Sequence, residues 1–231
     1  MDIQSVELVI PVFNEAKYLE KFINELSKEI NRSHIIRKVI FVNDGSTDNS
    51  LKIIENLCKK NRIFHLINLK NNLGKGHAMS KGFGIAKRDR SDCVIFMDSD
   101  GQHNPRYIKS FLKRLQKEPI VLGYRRLSRG APWLRKMGNK IATLIISKLF
   151  GIKRQDLLCG FMAFRKDIYN QLKWNSKRYG VEAELATVIS KRKLEFGQVL
   201  VPTIYLDPNK GVNMVHALLV LLMIPIWYYR K

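Results

Sequence analysis

Residues 97–105 read MDSDGQHNP, and within them Asp98 and Asp100 set two carboxylates one residue apart. The preceding run, CVIFM (93–97), has the length and apolar character of a buried strand. Carboxylates at i and i+2 after a strand can converge on one hard cation such as Mg²⁺ or Mn²⁺, and Gln102 can add a neutral oxygen. Taken alone, DSDG also has the composition of an ordinary turn. Two other polar loops keep it company. PVFNE (11–15) ends the apolar run VELVIPV (6–12), and VNDGSTD (42–48) ends KVIFVN (38–43).

The elements that must position these loops follow from the hydrophobic pattern. Strands are expected at 6–12, 38–43, 63–69, 93–97, 120–123 and 198–206. Between them, helical spacing covers Asn14 to about Ile30, a stretch capped by Thr47 or Asp48 that runs to about Lys60, 75–88, 105–117 and a stretch near 180–192 that carries Glu182 and Glu184. Alternating strands and helices imply an α/β fold, a mostly parallel sheet with helices on both faces. Ligands of such sheets sit beyond the carboxyl ends of the strands. All three polar loops fall at those ends, which turns them into one candidate site.

The 231 residues suffice for one sizeable core. Lys and Arg number 41 against 20 Asp and Glu, a net charge of +21 that points to phosphates, nucleic acid or an anionic membrane face. The scattered Cys58, Cys93 and Cys159 form no CxxC pair and read as reduced thiols packed as small hydrophobes. The opening MDIQSVELVI lacks a basic region followed by an apolar signal segment. From Pro119 to Gln155 there are nine basic residues and no acidic one. There Trp133, Leu134, Met137, Ile141, Leu144, Ile145 and Leu149 recur on one helical face, so 131–150 reads as a basic amphipathic helix suited to a membrane surface. A charged helix lying solvated over the core is the plainer reading. Residues 212–229 carry no formal charge and end in Trp227, Tyr228 and Tyr229 before Arg230 and Lys231, the pattern of an interface anchor or a borderline span.

Seven segments taken in order resemble family 2 glycosyltransferases of the GT-A (Rossmann-like) fold, in particular the polyprenyl-phosphate (dolichol-phosphate) hexosyltransferases. They are PVFNE, VNDGSTD, MDSDGQHNP, GYRR (123–126), WLRK (133–136), DLLCGFMAFRKD (156–167) and GVEAEL (180–185), and together they cover roughly residues 5–205. The resemblance implies a catalytic domain over 1–207, including the 131–150 helix as an acceptor and membrane element, and a C-terminal apolar membrane-associating segment over 208–231. It implies that Pro11, Phe13, Glu15, Val42 and Asp44 hold the nucleoside, with Asp98 and Ser99 beside the ribose and diphosphate. Asp98, Asp100 and Gln102 form the cation set for Mg²⁺ or Mn²⁺, and Asp98, Asp100 and Arg125 carry the chemistry. Arg125, Arg135, Lys136 and Asn139 would meet the acceptor phosphate. One departure stands out: where mannosyl enzymes of the family carry an R-x-x-G-x-S-K segment, this chain reads YLDPNKGVN (205–213), with Lys210 the single cation for the donor diphosphate.

The implied reaction moves a hexose from GDP-mannose, UDP-glucose or UDP-GlcNAc to a polyprenyl (dolichyl) phosphate, with inversion. The implied place is the cytoplasmic face of a membrane, with the chain held peripherally or by a single C-terminal span on an anionic surface. Transfer to a soluble or growing glycan is the alternative. A nucleic-acid-binding module is disfavoured, because the basic residues are not interleaved with stacking aromatics and no helix-turn-helix, RRM or KH signature is present. An inactive scaffold is disfavoured because every position of the acidic loop is filled. Oligomeric state has no signature in the sequence.

Overall fold

The computed structural model describes residues 2–125, 144, 147–148, 151, 156, 159–178, 180–202 and 214–229. Seven strands form one sheet in the order β3-β2-β1-β4-β6-β5-β7. They are β1 (Val6–Val12), β2 (Ile36–Asp44), β3 (Phe64–Leu69), β4 (Cys93–Phe96), β5 (Ile120–Arg125), β6 (Met162–Arg165) and β7 (Gly197–Val201). The helices are α1 (Ala16–Arg32), α2 (Ser50–Lys60), α3 (Lys75–Asp89), α4 (Ile108–Leu115), α5 (Val181–Lys191) and α6 (Met214–Tyr229). A 3₁₀ turn over Pro105–Tyr107 runs into α4, with the Asn104 side chain accepting from the Arg106 N–H.

β1, β2, β3 and β4 run parallel, as the strand–helix alternation requires. β6 is a strand that the sequence pattern did not mark. It lies antiparallel between β4 and β5, and β5 in turn pairs parallel with β7. Only four residues long, MAFR offers too little alternation to stand out from its flanks. Two antiparallel steps restore direction, so the carboxyl end of β5 faces the same edge as those of β1, β2 and β4.

Side chains of the central strands alternate between two apolar layers, even though the strands read as continuous apolar runs. Val6, Leu8, Ile10 and Val12 of β1 join Leu19, Phe22 and Leu26 of α1, Ile54 of α2 and Phe111 of α4. Val9 points the other way, toward Ala78, Met79 and Phe83 of α3 and Leu185 of α5. Helices thus cover both faces of the sheet. All three cysteines are free thiols, with Cys93 and Cys159 buried and Cys58 half-buried.

Three details differ from expectation, the first being that Asn49, not Thr47 or Asp48, is the N-cap of α2, with no side-chain cap bond. Asn14 does not cap α1, whose N-cap is Glu15. Instead Asn14 takes a left-handed φ of 54° and its side-chain oxygen accepts the Thr47 N–H at 2.8 Å, which ties the β1 loop to the β2 loop. The start of α1 is served from across the sheet by Asp48, which accepts from Ala16 N–H at 3.0 Å and from Ser50 N–H at 2.9 Å. The C-terminal apolar stretch forms α6, a helix of 16 residues with Pro225 inside it. At about 1.5 Å per residue its described residues span roughly 24 Å, short of a hydrocarbon layer of about 30 Å. Among the described residues no helix is long and apolar enough to cross a membrane, so the single C-terminal span loses its support. One side of α6 packs on α5 through Val220, Ile224 and Trp227 against Ala183 and Ala186. The amphipathic helix expected at 131–150 lies almost wholly outside the described residues, as do 203–206 of the last expected strand.

Candidate active site

The parallel registers set the three polar loops side by side. Val12 is in register with Asn43, and Val9 with both Ile40 and Phe96, so the β1, β2 and β4 loops leave the sheet at one edge. Side chains then stitch them together. Ser99, buried, donates its hydroxyl to the Pro11 carbonyl at 3.2 Å. Glu15 N–H donates to Ser50 Oγ at 2.8 Å. Phe13 is 41% exposed at the end of β1, an aromatic face open to a ligand. Val42 and Asp44 are buried at the end of β2.

Asp44 has a use the sequence did not reveal. Its two carboxylate oxygens accept the Leu73 and Gly74 N–H groups at 2.9 and 2.8 Å. These contacts fix the loop that leads into α3, where Gly74 adopts φ +97° and the next residue is Lys75. Without a Cβ, Gly74 escapes both the steric cost of that angle and a clash with the Lys177 carbonyl.

Within the acidic loop, Asp100 Oδ1 accepts the Gln102 N–H at 2.9 Å across Gly101, whose φ is +78°. The loop is therefore a tight turn, and the turn aims the carboxylate. Asp98 is held differently. Its Oδ1 lies 2.6 Å from Lys75 Nζ, and the same ammonium reaches Glu182 Oε1 at 2.7 Å. Burial alone would favour a neutral amine at Lys75, but Asp98 and Glu182 outweigh it and hold the group protonated far above its usual range. Burial likewise pushes the Asp98 carboxyl up, yet Lys75 and its other cationic neighbours prevail and hold it below its ordinary value. Asp100 moves the opposite way: burial first, then the Asp98 charge, raises it.

His103 supports the loop from beneath. Its Nδ1 accepts the Asp98 N–H at 2.9 Å, and its ring lies 5.3 Å from Phe161, which stacks on Phe111 at 4.2 Å. Burial lowers its pKa despite the nearby carboxylates, so the imidazole is neutral with its proton on Nε2.

Arg125, at the end of β5, is braced by a buried carboxylate. Asp156 accepts from Arg125 Nε at 2.7 Å, from Nη2 at 3.3 Å and from the backbone N–H at 3.3 Å. A two-point guanidinium–carboxylate contact fixes the plane of the fork. Arg135, Lys136, Asn139 and Lys210 lie outside the described residues.

The donor set of Asp98, Asp100 and Gln102 consists of hard oxygens, which suits Mg²⁺ or Mn²⁺. Among the described residues no group of three or more His, Cys, Asp or Glu could hold a metal ion by itself. A cation held by these oxygens would need phosphate oxygens and water to complete its shell. Asp100, destabilised as a free anion by burial and by Asp98, is the kind of carboxylate that a cation relieves. A cavity of about 790 Å³ lies elsewhere, lined among others by Leu122, Ala186, Ile189, Phe196 and Gln198, and no acidic-loop residue borders it.

Residues 7–173 match the family described as "Glycosyl transferase family 2". The chain belongs to that family. It is 29% identical to an undecaprenyl-phosphate 4-deoxy-4-formamido-L-arabinose transferase of Proteus mirabilis, over 94% of this chain and 67% of that protein. It is 28% identical to a UDP-N-acetylglucosamine–dolichyl-phosphate N-acetylglucosaminyltransferase of Methanococcus voltae, with 90% of each chain covered. Among solved structures, it superposes with a TM-score of 0.72 on the glucosyl-3-phosphoglycerate synthase of Mycobacterium tuberculosis in complex with Mn²⁺, UDP and glucosyl-3-phosphoglycerate. There the identity is 18%, with 97% of this chain and 78% of that one covered, a likeness of fold. The chain is thus a GT-A glycosyltransferase. The strand-end loops read from the sequence lie together; His103, Asp156, Gly160 and Glu182 fall in segments that the resemblance marked without giving them a role, while Lys75 lies outside all of those segments.

Proposed function

We propose that this glycosyltransferase moves a hexose from a nucleoside diphosphate sugar to a polyprenyl phosphate, with inversion at the anomeric carbon, at the cytoplasmic face of a membrane. One observation carries the reading: three polar loops meet at one sheet edge, with Asp100 destabilised as a free anion and Arg125 braced toward the same edge. The named activities of the Proteus and Methanococcus relatives, both on polyprenyl phosphates, support the lipid acceptor. GDP-mannose, UDP-glucose and UDP-GlcNAc are the candidate donors.

In this reading Pro11, Phe13, Glu15, Val42 and Asp44 bind the nucleoside, and Asp98 and Ser99 border the ribose and diphosphate. Asp100 and Gln102 would hold Mg²⁺ or Mn²⁺ together with the donor. The cation supplies charge neutralisation at the departing diphosphate. An acceptor phosphate is already anionic near neutral pH, so no protein base need take a proton from it. Its oxygen forms the new bond to the anomeric carbon as the bond to the diphosphate breaks, and the electron pair leaves with the nucleoside diphosphate. Arg125, with Asp156 setting its plane, and Lys210 stabilise that developing charge. Arg135, Lys136 and Asn139 draw in the acceptor phosphate.

Membrane contact is part of the proposal. Opposite its α5 contact, α6 exposes Leu219, Leu222, Met223, Ile226 and Tyr229, at 39–76%. An uncharged row of this kind suits the headgroup boundary of a monolayer, with the basic excess of the chain attracting anionic lipid. The test is incubation with each radiolabelled nucleotide sugar and polyprenyl phosphate. Wild type should place label in a chloroform-soluble product from one donor, and Asp100→Ala should lower the rate by about 100-fold or more. Label found only in water-soluble glycan, or an unimpaired Asp100→Ala variant, refutes the reading.

A further inference from the structure

We infer that Lys75 is a positioning residue that allots the two carboxylates of the acidic loop, taking Asp98 for itself and leaving Asp100 with Gln102 for the cation. The inference rests on reading that loop as a cation site. Lys75 is the first residue of α3, where a positive charge opposes the helix dipole. A lysine there runs against local preference, and its contacts explain why it is tolerated. Its ammonium lies between Asp98 Oδ1 of the β4 loop at 2.6 Å and Glu182 Oε1 of the first turn of α5 at 2.7 Å. The side chains are only 18%, 24% and 8% exposed for Lys75, Asp98 and Glu182, so this is a bridge inside the fold rather than a surface pair.

The floor beneath the bridge is equally specific. A Cβ at Gly160 would sit 2.5 Å from Lys75 Nζ and 2.7 Å from Asp98 Oδ2. The ion pair therefore lies directly on a bare backbone, just ahead of β6. Upstream, the Asp44 carboxylate fixes Leu73 and Gly74 and so sets where Lys75 begins. Four parts of the fold converge to place one ammonium on one of two neighbouring carboxylates. The other carboxylate, Asp100, is turned by its own Gln102 N–H contact and has Asp98 as a like-charged neighbour. A cation binding at Asp100 then meets one carboxylate that is already neutralised and one that is not, which fixes its place in the loop.

The geometry also sets the consequence of removing the ammonium. Lys75→Met frees Asp98 to turn toward the cation, so Mn²⁺ is held by two carboxylates in a displaced position. Titration with Mn²⁺ alone, followed by electron paramagnetic resonance with Asp100→Asn as the blank for this site, should show affinity tightened by about tenfold in Lys75→Met. Over the same change kcat should fall by about 30-fold while the donor KM stays within about threefold, because the displaced ion no longer meets the departing charge. Lys75→Met with Asp98→Asn removes both halves of the pair and should return Mn²⁺ affinity to within about threefold of wild type.

Unchanged Mn²⁺ affinity in Lys75→Met with only a lower Tm makes the lysine merely structural and overturns the inference. A donor KM raised tenfold with Mn²⁺ affinity unchanged makes it a donor contact and overturns it too. Loss of Mn²⁺ binding in the double variant makes Asp98 a direct ligand, with the same result. If wild type shows no Mn²⁺ binding that depends on Asp100, the cation reading itself fails. If wild type binds and Lys75→Met matches it, only the present inference fails.

Discussion

Replacing Gly160 with alanine tests the packing of the site without touching a charged group. The new methyl carbon would lie 2.5 Å from Lys75 Nζ, 2.7 Å from Asp98 Oδ2 and 3.2 Å from Asp98 Oδ1. Ordinary contacts at a Cβ begin near 3.4 Å, so both partners must retreat by close to an ångström. Lysine ends elsewhere move at little cost, but this one is pinned by two carboxylates. Overpacking of this kind costs about 2 kcal/mol, offset by roughly 0.5 kcal/mol because alanine restrains the unfolded chain. The backbone of Gly160 is not among the positive-φ glycines, so no conformational strain adds to this. A net loss of about 1.5 kcal/mol corresponds to a Tm lower by about 3–6 °C in a chain of this size. Gly84 supplies the control, since it lies inside α3 and a Cβ there meets nothing within 4 Å. Gly84→Ala should raise Tm by about 2 °C through helix propensity alone. Calorimetric melts of the three proteins in one buffer decide the matter. If Gly160→Ala raises Tm as Gly84→Ala does, the Lys75–Asp98 pair does not sit on that backbone and the reasoning fails.

Two further outcomes follow from other parts of the fold. Glu7, buried in β1 beside Asp89, has its pKa raised from 4.5 to about 7, by burial first and then by the Asp89 charge, against the pull of Lys38. A carboxyl raised on folding costs the fold nothing below its unfolded pKa and the full amount above its folded one, so stability falls as pH rises from about 4.5 to 7. The shift of 7 − 4.5 = 2.5 units sets an upper bound of about 3 kcal/mol. Glu7→Gln should flatten that slope and melt higher than wild type at pH 8, whereas parallel Tm–pH curves would refute the assignment. On α6, Leu222 and Ile226 are 62% and 55% exposed on the side away from α5. Leu222→Asp with Ile226→Asp should weaken sedimentation with phosphatidylglycerol vesicles by about tenfold or more at unchanged Tm, and equal partitioning counts against the monolayer contact.

Much of the fold was legible because period and alternation are local properties. Each of the four parallel strands β1 to β4 announces itself by its own apolar run, and parallel connectivity then forces the β1, β2 and β4 loops to one edge. What escaped was of a different kind. An asparagine before a helix reads as an N-cap, yet Asn14 spends its side chain on Thr47, because the left-handed turn there points it across the sheet. β6 is too short to carry a period. Glu182 and Glu184 look alike on one helix, but Glu184 accepts the Asn175 and Ser176 N–H groups while Glu182 reaches Lys75. Nothing in the spacing separates them: the Glu184 partners lie only eight and nine residues upstream, whereas the Glu182 partner, Lys75, comes from a distant part of the chain. Lys75 was hidden for the same reason: its meaning lies in Asp98, Gly160 and Glu182, none of which is near it in sequence.

These hidden residues share an electrostatic task. In the proposed reaction a nucleoside diphosphate and a lipid phosphate, two anions, come together, and the carboxylates needed for a cation would repel both. The net charge of +21 helps at long range, but salt screens it beyond about 10 Å. At short range the balance must be local, and here it is. Asp98 is matched by Lys75 and Asp156 by Arg125, each at an N–O distance of 2.6–2.7 Å. Both pairs leave their cations held, so neither the ammonium nor the guanidinium can wander toward a phosphate in the wrong place. In the proposed reaction Asp100 remains the carboxylate whose charge is answered only when the cation arrives with the donor.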